Sequence, residues 1–413
     1  MSKMRSSVIP SFPLNYMIFA ILGMLLLLGS HLLDYYPWIF VVASLVFIDW
    51  RQVRTFETVL VTILLVSMYV TWYSLDKNII YHTKYFGQGV LALTMFLLGL
   101  SLVKRENLSL SSQRTIFYLL FIFFIGYLLS LVYSYVFLDP VHPIDREGMY
   151  VCFQNEYRRI HMNNGNLIST VIAYYLSPMA VLLPFLILYF HTFKKVGFHV
   201  AEILFLSALS LFALFLAVQM QRRTVLLLFI ISFGYLLAFK LIRSGKSLDF
   251  KKVLWTLVFL GIAMGIGYYF LADTPVIKRL IHEGLHDKRF TWWAGGIEAM
   301  WEYPFGGGYN VVLGNKTKLA HNLWIDIGKD FGVIPFITLM LLSLAFCYRL
   351  FHFLFFRKTD IFIKHLVVLI SLVIFIVFML EPVYNSDKTF FIYFMYFLGI
   401  LVAMDQKRTI SSE

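Results

Sequence analysis

The chain has 413 residues, 60% hydrophobic and 14% charged, with a mean hydropathy of +0.77 and a formal charge of +12. A soluble domain carries about 25% charged residues, so this composition excludes an ordinary soluble protein and points to a polytopic membrane protein. The positive charge does not require nucleic acid as a partner, because basic residues anchor the cytoplasmic loops of membrane proteins.

The opening segment, MSKMRSSVIPSFPLNY, has no small-residue cleavage site before its first apolar run, which therefore reads as a retained span. A span takes about 20 apolar residues, fewer where neighbours shield a short one. Twelve follow on that basis, roughly at 14–33, 36–50, 57–75, 85–103, 115–137, 167–190, 200–220, 224–242, 253–272, 332–353, 365–381 and 389–404. No internal repeat interrupts them, so residues 1–413 read as one all-α transmembrane domain. Cys152 and Cys347 set no disulfide framework.

With the N-terminus in the cytoplasm, 20 of the 35 Lys and Arg fall on the inner side and 15 outside, and almost every short inner connection is basic. Most of the outer ones gather in three places: Arg146, Arg158 and Arg159 in the loop 138–166; Arg222 and Arg223 between two spans; and seven residues within 273–331. Outer basic residues run against the topology bias, and an anionic ligand outside the membrane would explain them.

Residues 273–331 form the one long, polar-tolerant segment. Within it, Phe290, Trp293, Ala294, Ile297, Met300 and Trp301 recur at helical spacing. With Asp287 as N-cap and Pro304 and Gly306–Gly308 as terminators, this predicts an amphipathic helix lying on the outer membrane surface. Arg289 stands in its first turn, where the helix dipole disfavours a cation unless an anion binds there. Further on, His321–Asn322 begins a helical segment expected to run into the membrane. An imidazole, with an unperturbed pKa of roughly 6.5, suits a general base. In the tight outward connection, Arg222 and Arg223 are either interfacial snorkelling residues or a guanidinium pair shaped for phosphate.

Two competing signals carry less. His282–Glu283–Gly284–Leu285–His286 matches H-E-x-x-H formally, but Gly284 weakens the helix that a zinc-protease site needs. Gly306 to Asn310 has no preceding strand and is no nucleotide fingerprint, no Walker motif is present, and the inner loops lack acidic pairs for a metal–nucleotide donor. A lipid-linked oligosaccharide transporter would also explain outer arginines. It would need polar residues along the spans, which are nearly bare apart from Asp49, Glu202 and Glu381 near their ends.

The order Arg223–Thr224, Arg289, Glu302–Tyr303–Pro304–Phe305–Gly306–Gly307–Gly308, then His321–Asn322 resembles the bacterial O-antigen ligase and O-antigen polymerase family over about residues 215–345. The resemblance implies a fold similar to the C-type membrane glycosyltransferases and a site on the outer, periplasmic side of the bacterial inner membrane. It implies glycan transfer from an undecaprenyl-diphosphate donor without metal or other cofactor. Arg223 and Arg289 would then clamp the diphosphate, with Arg222 as the second candidate at the first position. His321 would activate the acceptor hydroxyl, and Asn322 and Tyr309 would contact sugar. The acceptor would be a second lipid-linked repeat in a polymerase or lipid A-core in a ligase, and a chain-length regulator is a candidate partner. Arg158, Arg159 and His161 could face a second lipid diphosphate, which favours the polymerase.

Overall fold

A computed structural model describes residues 41–42, 44–50, 54–75, 79–105, 110–137, 169–219, 222–243, 289–313, 318–381, 383 and 388–406. The described chain is helical: α1 Phe56–Leu75, α2 Ile79–Arg105, α3 Leu110–Phe137, α4 Ser169–Leu188, α5 Phe190–Lys195, α6 Val200–Gln219, α7 Arg223–Arg243, α8 Arg289–Glu302, α9 Leu323–Phe331, α10 Val333–Phe356, α11 Ile361–Leu380 and α12 Lys388–Gln406. Among the described residues, six helices are long and apolar enough to cross a membrane (α1, α2, α6, α7, α10 and α11), while α3, α4 and α12 hold shorter apolar stretches. This is a multi-pass helical membrane protein. The nine expected spans from 57–75 to 224–242 and from 332–353 onward each fall on one of these helices. The spans 14–33 and 253–272, and most of 36–50, lie outside the described residues.

The core is a bundle in which α2 and α12 make the most intimate pair. Gly99 and Gly399 face the partner backbone, and a Cβ on either would overlap the carbonyl oxygen of Tyr396 or Phe96. Lipid tails are as apolar as leucine, so close backbone packing at small residues supplies association that hydrophobicity alone cannot. Gly399→Leu should therefore lower stability by about 1–3 kcal/mol or more through overpacking, read as an earlier thermal transition in detergent. An unchanged transition would show that the pair is not this tight.

Contacts between helix ends follow the up-and-down path. At one end, Arg349 of α10 donates to Glu57 of α1 at 2.6 Å and to Asp405 of α12 at 2.8 Å, with His352 and Arg357 also on Asp405. At the other end, Thr71 of α1 donates to the Phe331 carbonyl at 3.1 Å, and Lys388 of α12 lies over Trp72. That second end carries the starts of α7, α9 and α10. It is the end where the candidate residues collect.

Candidate functional site

α7 begins at Arg223, immediately after Arg222, and α11 ends on Glu381, which caps it through an N–H bond to Val377 O. The two helices pack side by side, so the two ends meet. Thr224 Oγ1 donates to Glu381 Oε1 at 2.7 Å, and both residues are buried. The third element is α8, whose first residue, Arg289, places a guanidinium nitrogen 3.9 Å from the same Oε1. Burial pushes the Glu381 carboxyl up, while Arg289, Arg222, the Thr224 hydrogen bond and Arg223 pull it back down. Arg289 stands beside the buried acid, and Arg222 and Arg223, next to its Thr224 partner, act on it electrostatically.

His321 reaches this neighbourhood through the same helix. Trp292 stacks on its imidazole, with ring centroids 5.1 Å apart and planes at 30°. Arg289 and Trp292 are three residues apart, so they occupy one face of α8. That face presents a cation to Glu381 and an aromatic plate to His321. His321 has φ 56°, the left-handed region that is uncommon for residues other than glycine.

The loop before α9 is held by two caps of different kinds. Asn322 is the N-cap of α9, and its side chain accepts from the Ile325 N–H at 3.2 Å. Asp326, buried in the first turn, reaches back to accept from the N–H of Ala320 at 2.7 Å and of Asn322 at 3.3 Å. Burial and Asp330 push the Asp326 carboxyl up to about 7; the Ala320 N–H, Lys329 and the Asn322 N–H pull the other way. Lys329 is fully buried and donates to Gly308 O at 3.1 Å and to the Asp330 carboxylate.

The Gly306–Gly308 turn docks α8 onto α9. Gly306 and Gly307 have φ of +91° and +104°, which side chains rarely adopt, and the Gly307 N–H donates to Asp330 O at 3.0 Å. The Pro304 carbonyl accepts from Val333 N–H at 2.8 Å, closing the turn against the start of α10. The α8 packing face is Gly296, Ala299 and Met300, with Gly296 against Ile325 and Met300 against Gly328.

Met300 packs with Gly296 and Ala299 against protein, while Phe290, Ile297 and Trp301 of the same apolar stripe are exposed. One expectation is corrected. The segment after His321 does not run unbroken into the membrane. It forms the separate nine-residue α9, broken from α10 at Gly332, where φ is +92°.

The structure therefore brings together Arg222, Arg223, Arg289 and, through Trp292, His321. Asn322 is occupied as a helix cap, and Tyr309 lies beside Trp72 of α1 with ring centroids 6.4 Å apart. Arg158, Arg159 and the His282–His286 motif lie outside the described residues, as does the N-cap position Asp287. Among the described residues no group of three or more His, Cys, Asp or Glu could hold a metal. Sequence reasoning noted Glu381 only as a polar residue near a span end and passed over Asp326. No known family model matches the chain, and no curated protein matches it.

Proposed function

We propose that the protein is a membrane glycosyltransferase of the O-antigen polymerase and ligase type. It transfers a glycan from an undecaprenyl-diphosphate donor on the periplasmic side of the bacterial inner membrane. The observation that carries this reading is the meeting of Arg222, Arg223 and Arg289 around Glu381, with His321 tied to the same face of α8. A polymerase is favoured over a ligase on the basic loop containing Arg158 and Arg159.

The chemistry needs few parts. The acceptor hydroxyl attacks the anomeric carbon of the donor sugar, and His321 takes the hydroxyl proton. The bond from that carbon to the phosphate oxygen breaks with its electron pair, and undecaprenyl diphosphate leaves. Guanidinium groups are suited to this charge because they can pair bidentately with phosphate oxygens. Asn322 keeps the loop shape, which leaves sugar recognition to other groups, Tyr309 among them.

An apolar cavity of about 280 Å³ between α1 and α2 supports a lipid-linked substrate. Met68, Tyr69, Gly89 and Phe331 line it, with Trp72 and Lys388 towards the end that carries the site. A Cβ at Gly89 meets nothing within 4 Å, so Gly89→Leu can fill the space without distorting α2. This variant should raise KM for a lipid-linked substrate by roughly 4–15-fold, the equivalent of one to two buried methylenes, with kcat retained. An unchanged KM would exclude the cavity from substrate binding. The reading as a whole is tested with purified protein in liposomes containing an undecaprenyl-diphosphate-linked repeat unit. Elongated lipid-linked products are expected, whereas movement of the lipid across the bilayer without elongation would replace this reading with transport.

A further inference from the structure

Asp326 does more than complete the cap of its own helix. The N-cap position is already filled by Asn322, whose side chain accepts from Ile325 N–H. The two oxygens of Asp326 are divided between the N–H groups of Ala320 and Asn322, the residues on either side of His321. Between those anchors His321 holds φ 56°. A residue with a side chain held in a sparsely populated backbone region is strained, and persists where its surroundings over-determine it. Here the surroundings are Asp326 below the main chain and Trp292 against the ring.

We infer that Asp326 is a positioning residue for His321, holding the main chain at 320–322 in the conformation that presents the imidazole to the acceptor hydroxyl. The inference deepens the glycosyl-transfer reading and rests on it. Asp326 acts through the backbone, since both its oxygens accept from main-chain N–H groups. Its neutral isostere cannot replace it, because Asn offers one acceptor oxygen and would turn an NH2 group towards the second N–H. Misplacing a reacting group by about 1 Å can cost on the order of 10²-fold in rate.

The test is a double-mutant cycle at pH 8 on the full chain in liposomes, supported by hydrogen exchange. Asp326→Asn should lower kcat by roughly 10–100-fold with the donor KM unchanged, because the arginines that hold the donor are untouched. In a His321→Ala background, Asp326→Asn should have no further effect, since the side chain it positions is gone. Exchange at the amides of Ala320 and Asn322 should quicken in Asp326→Asn while the later turns of α9 keep their protection. Wild-type kcat in Asp326→Asn, or losses that multiply with those of His321→Ala, would overturn the inference. If Asp326→Asn does not fold, His321→Gly with Asp326→Asn decides. Glycine accepts φ 56° without strain, so restored folding supports the inference and continued misfolding overturns it. The underlying reading fails differently, by full transfer activity in His321→Ala alone.

Discussion

Arg289→Ala is expected to abolish long-chain polysaccharide in cells while the amount of protein in the membrane stays the same. Removing one donor that stabilises developing charge costs about 10²–10³ in kcat, enough to starve the chain of repeated additions. The fold should tolerate the change, since Arg289 begins α8 and its guanidinium is 3.9 Å from Glu381, an ion pair beyond hydrogen-bond distance. Arg223→Ala should behave alike. Arg289→Lys should recover only part of the activity, because an ammonium group cannot pair with two phosphate oxygens in one plane. Gel analysis of extracted polysaccharide reads all three variants, and normal chain length in either alanine variant would remove the arginines from the chemistry.

The membrane frame was legible because span length and apolarity are local properties. The helices α6 and α7, over Val200–Gln219 and Arg223–Arg243, match the expected runs to within a residue or so at each end. The arginines stood out for a related reason: in a chain with 14% charged residues, a pair of arginines between two apolar runs is conspicuous. Glu381 was visible only as one polar residue among few. Its importance depends on α11 ending beside the start of α7, and that adjacency follows from packing across 157 residues of sequence. Asp326 was harder still. It looks like a polar residue of an amphipathic helix, and only the backward reach to Ala320 and Asn322 distinguishes it. For α8, a helical period marks the apolar positions without saying which of them, Met300 among them, pack against protein. Where both surroundings are apolar, small residues such as Gly296 and Ala299 are the better marker of the packed face.

The second large effect is expected at Glu381, and the two obvious substitutions should diverge. Glu381→Ala leaves Arg222, Arg223 and Arg289 gathered around a buried gap and takes the partner from Thr224 Oγ1. Leaving the buried Thr224 hydroxyl without its acceptor costs about 1–3 kcal/mol, and the part-exposed guanidinium groups lose their counter-charge, so this variant should show a lower thermal transition. Glu381→Gln keeps the volume and an acceptor oxygen for Thr224, and should fold. With the negative charge gone, a bound anion no longer competes for the same guanidinium groups. At a separation of about 4 Å and an effective dielectric near 20, that competition is worth up to about 4 kcal/mol. Even a third of it would tighten inorganic pyrophosphate binding by about tenfold. Turnover should fall in the same variant, because a tighter diphosphate leaves more slowly. Calorimetric titration of both proteins with pyrophosphate distinguishes the roles of this carboxylate. Unchanged or weaker binding in Glu381→Gln would mean that the anion does not share these arginines, and Glu381 would then be a charge that holds the fold and nothing more.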